Sequence, residues 1–225
     1  MTSPLNRRTM LAGMASSLAG CVSQNPAHRL VDWREDSGYA SMYAAVEGEP
    51  FPVAAVDLSR LADPKFLRQE VTCPTTHPVG TVVVDPNRRF AHLVQENGRA
   101  LRYGVGVGRM DDFNFVGEAV IARKAEWPRW TPTPDMIARE HARYEPYRDG
   151  LPGGPTNPLG PRALYLYRDG RDTLYRLHGT VEPWTIGTKV SSGCIRLFNQ
   201  DIIDLYRRVP VGTKVVVLPV ETGTA

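Results

Sequence analysis

The chain has 225 residues, of which 27 are basic and 24 acidic, giving a net charge of +3 at pH 7, and 42% are apolar, an ordinary globular fraction. That is room for one sizeable domain with extras, and the basic residues, scattered singly or in pairs, leave no electrostatic footprint for nucleic acid. No stretch approaches the roughly 18–20 apolar residues needed to span a bilayer.

The start of the chain reads as an address. Asn6-Arg7-Arg8-Thr9-Met10-Leu11 supplies a positive segment resembling a twin-arginine export signal, followed by a short apolar run from Met10 to Ala19. Leu18-Ala19-Gly20-Cys21 places small residues before a cleavage point and resembles the lipobox of bacterial lipoproteins, in which the Cys becomes the lipidated N-terminus. Residues 1–20 are therefore expected to be a lipoprotein-type export signal. Cys21 is expected to carry the acyl anchor to the membrane, each buried CH₂ adding about 0.8 kcal/mol of affinity. Without residues 1–20 the balance is 25 basic to 24 acidic residues. The chain is expected on the periplasmic side of the envelope.

Residues 21–77 read as a tether and N-terminal arm. The 22–50 stretch is polar with isolated aromatics (Trp33, Tyr39, Tyr43). From Phe51 to Pro78, Pro and charge punctuate short apolar pieces that are expected to pack on the domain, with a helical stub in Asp57–Pro64. The domain proper is placed at 78–220, with a tail at 221–225. Gly80-Thr81-Val82-Val83-Val84-Asp85 and Phe90-Ala91-His92-Leu93-Val94 predict strands, and Glu96-Asn97-Gly98 predicts a hairpin turn. Leu101–Val107 and Phe115–Lys124 continue the strands. Gly104, Gly106 and Gly108 lack dinucleotide-binding spacing and read as bends or sites of close backbone approach.

Trp127–Pro134 is too rich in Pro for regular structure. A helical stub is expected over Asp135–His141. Gly150–Pro161, with four Pro and four Gly, predicts a long loop of the kind that carries function. Strands at 163–167 and 174–178 pair across Arg168-Asp169-Gly170-Arg171. A helix follows, with Asn199 as its cap and Ile202, Leu205, Tyr206 and Val209 on one buried face, stopped by Pro210 and Gly212. Thr213–Leu218 is the closing strand. The fold class is mainly β, sandwich- or barrel-like, with that one helix after Cys194.

Ser191-Ser192-Gly193-Cys194-Ile195-Arg196-Leu197 puts a thiol in a small-residue turn, and His178-Gly179-Thr180 begins sixteen residues upstream of it. A catalytic thiol needs a depressed pKa or an adjacent base, and His178 is the natural one. The helix after the turn is expected to favour negative charge on the sulfur. The backbone N–H groups of Ser192, Gly193 and Cys194 suit an oxyanion. Cys73 and Cys194 must then stay unbonded, and the Cys194 sulfur and a His178 nitrogen should come within roughly hydrogen-bonding range. His77, His92 and His141 read as surface or satisfied histidines, and Asp111-Asp112 as a turn. No metal-ligand spacing occurs, so neither metal nor cofactor is expected.

His178-Gly179-Thr180 with Ser191–Leu197 resembles the signature of the L,D-transpeptidase (YkuD) catalytic domain family. The Gly80–Asp85 strand, the Trp127–Pro134 loop, Asn157-Pro158-Leu159-Gly160 and Pro210-Val211-Gly212-Thr213-Lys214-Val215-Val216-Val217 support the likeness over roughly 78–220. Ser192 stands where that family's motif usually has His. The resemblance implies a β-sandwich-like domain that cross-links peptidoglycan stem peptides through an acyl-enzyme thioester on Cys194, with His178 as base. Arg196 would meet a stem carboxylate or form a structural ion pair. Trp130 would wall the substrate groove or join the core, and Gly179 and Thr180 would line the substrate site. The competing readings are hydrolysis of the same thioester and a wall-binding protein without catalysis.

Overall fold

The strands follow the sequence's β-branched and alternating runs: β1 (Gln69–Thr72), β2 (Val82–Asp85), β3 (Phe90–Val94), β4 (Arg99–Gly104), β5 (Val107–Gly108), β6 (Gly117–Glu126), β7 (Arg162–Arg168), β8 (Arg171–His178), β9 (Lys189–Ser191), β10 (Ile195–Arg196) and β11 (Lys214–Val217). The computed structural model describes residues 36–61, 63–109, 115–191 and 193–220. The readings of the 1–20 signal, Cys21, Trp33, Asp111-Asp112, Ser192 and the 221–225 tail lie outside the described residues.

Nine strands form one mixed sheet in the order β1-β4-β3-β2-β11-β6-β7-β8-β10, and β5 pairs with β9 in a small second sheet. The mainly-β expectation holds, and the pairings are antiparallel except β2–β11, β8–β10 and β5–β9. The β3–β4 and β7–β8 hairpins turn on Asn97 (φ 58°) and Asp169 (φ 50°), each followed by a glycine at positive φ, as tight hairpin turns require.

The described residues also form the α-helices α1 (Ser37–Met42), α2 (Pro134–Arg139), α3 (His141–Tyr144) and α4 (Asn199–Arg208), with short 3-10 turns between elements. Thr133 caps α2, its hydroxyl accepting from the Met136 N–H at 3.2 Å, with Pro134 at the first turn where no donor is needed. α4 lays Ile202, Leu205 and Val209 on Leu164, Leu166 and Leu177 of β7 and β8. Each such buried aliphatic side chain contributes about 1.5–3 kcal/mol. Among the described residues no helix is long and apolar enough to cross a membrane.

Two sequence expectations are corrected here. Asn199 does not cap α4; Phe198 holds the cap position without a side-chain bond, and the Asn199 carboxamide turns outward to another task. The second concerns residues 36–50, which are no tether. Tyr43 is 1% exposed and sits in an aromatic and aliphatic cluster with Phe66, Leu67, Phe90 and Phe198. Its hydroxyl lies 3.0 and 3.1 Å from the Asp201 carboxylate oxygens and accepts the Arg68 N–H at 2.6 Å. Glu49 forms a fork with Arg162, at 2.6 and 2.9 Å, and also accepts the Trp127 indole N–H at 2.9 Å. Apolar periodicity cannot signal such a segment, because it is held by a few long-range polar contacts.

Both side chains of the Glu49–Arg162 pair are more than nine-tenths buried, so removing either strands a buried charge. Glu49→Ala is expected to lower the unfolding free energy by about 3–5 kcal/mol in urea denaturation. A loss below about 0.5 kcal/mol, normal for an exposed side chain, would contradict this packing.

Candidate active site

The site is assembled by the shortest pairing in the sheet. β10 runs parallel to β8, Ile195 opposite Leu177 and Arg196 opposite His178, and the Leu197 N–H donates to the His178 carbonyl at 2.8 Å. Side chains level with one another on paired strands share a face, so Arg196 and His178 stand together, with Arg176 two residues before His178 on the same face of β8 and Cys194 immediately before β10. β10 also bridges to Gly106, exchanging both backbone bonds at 2.9 Å.

His178 is 4% exposed. Its Nδ1 lies 2.6 Å from the Gly179 carbonyl oxygen. A carbonyl can only accept, so Nδ1 carries the proton and Nε2 keeps its lone pair. Burial, with the Arg196 and Arg176 charges adding to it, pushes the imidazole down to about 3, so the ring is neutral at pH 7. The following loop is fixed by Asn199, whose Oδ1 accepts the Thr180 N–H at 2.8 Å. A Cβ on Gly179 would stand 2.3 Å from that oxygen, so only glycine passes there.

Cys194 is half-buried, and both Cys73 and Cys194 are free thiols. Burial raises the Cys194 thiol, against the lowering effect of the Arg176 and Arg196 charges and of hydrogen bonds from Arg176. The thiol points to the Leu174 carbonyl at 3.8 Å. Cys194 and His178 line one cavity of about 590 Å³, within the range of small-ligand sites. The helix-dipole expectation does not apply at Cys194, because β10 intervenes before α4 begins at Asn199.

Trp130, Tyr144 and Tyr147 form an aromatic wall of this cavity, with ring centroids 5.8–6.2 Å apart. Trp130 is thus a wall residue, only partly buried. Asn157, fully buried, ties the two surrounding loops: its amide donates to the carbonyls of Pro128, Leu151 and Pro152 at 3.0–3.2 Å, and its oxygen accepts the Leu159 N–H. Arg196 lines the cavity and pairs with Glu182 at 2.8 Å. Gly179 and Thr180 do not line it; they shape the loop behind His178. The Gly193 N–H donates to the Ser191 hydroxyl at 3.1 Å, so it reaches an oxyanion only by exchanging that partner. Among the described residues no group of acids, histidines or cysteines is arranged to hold a metal.

The sequence readings missed three residues of this site. Arg176 was legible from the two-residue alternation with His178, whereas the Asn199 tie and the intrusion of Leu174 into the cavity depend on tertiary contacts.

A model of the YkuD family, described as the L,D-transpeptidase catalytic domain, matches residues 80–217. The probable L,D-transpeptidase YbiS of Escherichia coli (strain K12) is 36% identical over 148 residues, 65% of this chain and 47% of that protein. The chain thus spans about half the length of that relative. A putative L,D-transpeptidase from the ATP synthase subunits region (ORF 5) of Fuscovulum blasticum is 33% identical over 221 residues, 97% of this chain and all of that protein. A solved structure from Brucella melitensis, described as a probable carnitine operon oxidoreductase, is 52% identical and covers 70% of this chain and 96% of that one. Its TM-score is 0.48.

The His178 geometry fixes both tautomer and charge. Imidazole ¹⁵N chemical shifts are expected to show Nδ1 protonated and Nε2 bare between pH 5 and 8, with no titration in that range. An inflection near 6.5, the ordinary histidine value, would contradict the burial and the Gly179 bond.

Proposed function

The chain belongs to the YkuD family of L,D-transpeptidase catalytic domains, and from that premise we propose that it is a peptidoglycan L,D-transpeptidase using Cys194 as nucleophile and His178 as base. The observation that carries this reading is the His178 Nδ1 bond to Gly179, which leaves the Nε2 lone pair free on a ring that lines one cavity with Cys194.

Burial raises the thiol and lowers the imidazole, so the resting pair is neutral. Proton transfer accompanies attack. The thiol turns from Leu174 toward His178, its proton passes to Nε2, and the sulfur electron pair bonds to the carbonyl carbon preceding the terminal D-alanine of a tetrapeptide stem. The tetrahedral intermediate collapses, the C–N bond breaks, and His178 returns the proton to the leaving amine. A thioester remains. The side-chain amine of a neighbouring stem then attacks the thioester, gives a proton to Nε2, and expels the sulfur, which takes that proton back. The backbone N–H groups of Gly193 and Cys194 serve the oxyanion, that of Gly193 by exchanging its Ser191 partner, each worth about 2.7–4 kcal/mol in comparable sites.

The cavity's chemistry fits a short zwitterionic peptide. Aromatic rings on one side offer apolar contact, and Asp135, Arg139, Glu182 and Arg196 offer both signs of charge. The acidic residues suit an incoming amine and the guanidinium groups a stem carboxylate. Export by the 1–20 signal and acylation of Cys21 would hold this domain at the membrane, on the side where peptidoglycan lies.

Intact-mass spectrometry after incubation with a tetrapeptide stem tests the reading. The wild type is expected to gain a tripeptide acyl adduct, Cys194→Ala none, and His178→Gln to acylate roughly 10²–10⁴-fold more slowly. An added amine acceptor should discharge the adduct as an amide. No adduct on an accessible thiol would overturn the enzyme reading, and release of free tripeptide under saturating amine would replace transfer by hydrolysis.

A further inference from the structure

β8 carries a pronounced irregularity beside the site. Tyr165 of β7 pairs with Arg176, but Tyr167 pairs with Asp172, so Thr173, Leu174 and Tyr175 together oppose the single residue Leu166. The excess chain is stapled by its own side chains. Thr173 Oγ1 donates to the Leu166 carbonyl at 2.6 Å and accepts the Tyr175 N–H at 3.2 Å, while Asp172 Oδ1 accepts the Leu174 N–H at 2.8 Å. Leu174 is left with φ 64° and 55% exposure, lining the cavity. A left-handed backbone crowds a leucine's Cβ against the following carbonyl, and such strain persists only where surrounding contacts impose it.

The strain places one carbonyl. The Leu174 oxygen receives the Arg176 guanidinium at 2.5 Å and faces the Cys194 sulfur at 3.8 Å. The guanidinium is fixed further by Asp172, 3.7 Å away, and by the Tyr165 ring, 4.7 Å below it. The guanidinium and the sulfur thus meet at one carbonyl oxygen. A planar, permanently charged fork held at three points is a pre-positioned cation, unlike a flexible lysine.

We propose that Arg176 is a positioning residue for the reaction: the β8 bulge anchors its guanidinium on the Leu174 carbonyl so that its charge stands beside the Cys194 sulfur. The inference rests on the reading of Cys194 as nucleophile. As His178 Nε2 accepts the thiol proton, negative charge grows on the sulfur, and a fixed guanidinium stabilises it without reorganisation. The Leu174 carbonyl holds the S–H before that moment and has no attraction for the anion afterwards. The other charged or titratable groups near the sulfur are His178 and Tyr175 on β8, Arg196 on β10, Asp172 across the bulge, and Arg139 and Glu182 across the cavity.

The test is the pH profile of Cys194 alkylation by iodoacetamide in the full chain, read by peptide mass spectrometry so that Cys73 and Cys21 are scored separately. Arg176→Gln is expected to move the Cys194 midpoint up by about one pH unit, with alkylation near neutral pH roughly tenfold slower. Arg176→Lys is expected to fall between Gln and wild type. Asp172→Asn keeps an oxygen for the Leu174 N–H but removes the opposing charge, and is expected to move the midpoint down. An unmoved midpoint in folded Arg176→Gln overturns the proposal. If that variant does not fold, an unmoved or raised midpoint in Asp172→Asn overturns it. A shifted midpoint with no acyl adduct from a tetrapeptide stem would sink the transpeptidase reading and leave the role of Arg176 on the thiol standing. An adduct with an unmoved midpoint would sink the role of Arg176 alone.

Discussion

The parallel pairing of Ile195–Arg196 with Leu177–His178 is the constraint on which the site depends. The thiol and the imidazole come from positions sixteen residues apart, and this pairing brings them to one cavity. The pairing is short, so it is reinforced on its far side by the bridge to Gly106 and beneath by Ile195 and Leu197, both buried in the main core.

Burial then sets the chemistry. It disfavours charge on both groups, raising the thiol and lowering the imidazole. The same burial strengthens every nearby charge. That is why guanidinium groups on the shared face matter: they oppose a protonated His178 and favour an ionised Cys194 at the same time. The strained turn at Leu174 belongs to this arrangement, since it projects a carbonyl where the guanidinium and the thiol meet.

Around this centre the loops are held by polar ties where regular structure is ruled out. Proline removes donors from Trp127–Pro134 and Gly150–Pro161, and the buried Asn157 amide takes up the carbonyls left behind. Asn199 does the same for the His178 loop. Glu49 and Tyr43 bring the N-terminal arm into the domain, satisfying Arg162, Trp127 and the Arg68 N–H as they arrive. Removing any one of these side chains leaves a buried partner without its bond, a cost of about 1–3 kcal/mol for a neutral group.

Local chemistry determined much of this protein. Alternating β-branched runs fixed the strands at 82–85, 90–94 and 214–217 almost to the residue, and the Asn97 and Asp169 turns fixed two hairpins, because strand period and turn type are properties of neighbouring residues. The spacing of His178 from the Ser191–Leu197 stretch was also enough to single out the two groups that share the cavity. Only the tertiary structure decided that residues 36–50 are part of the domain, that Asn199 serves the His178 loop instead of α4, and that the Leu174 carbonyl faces the sulfur. Each of these is a contact between side chains or carbonyls brought together by register and burial, and neither leaves a periodic trace along the chain.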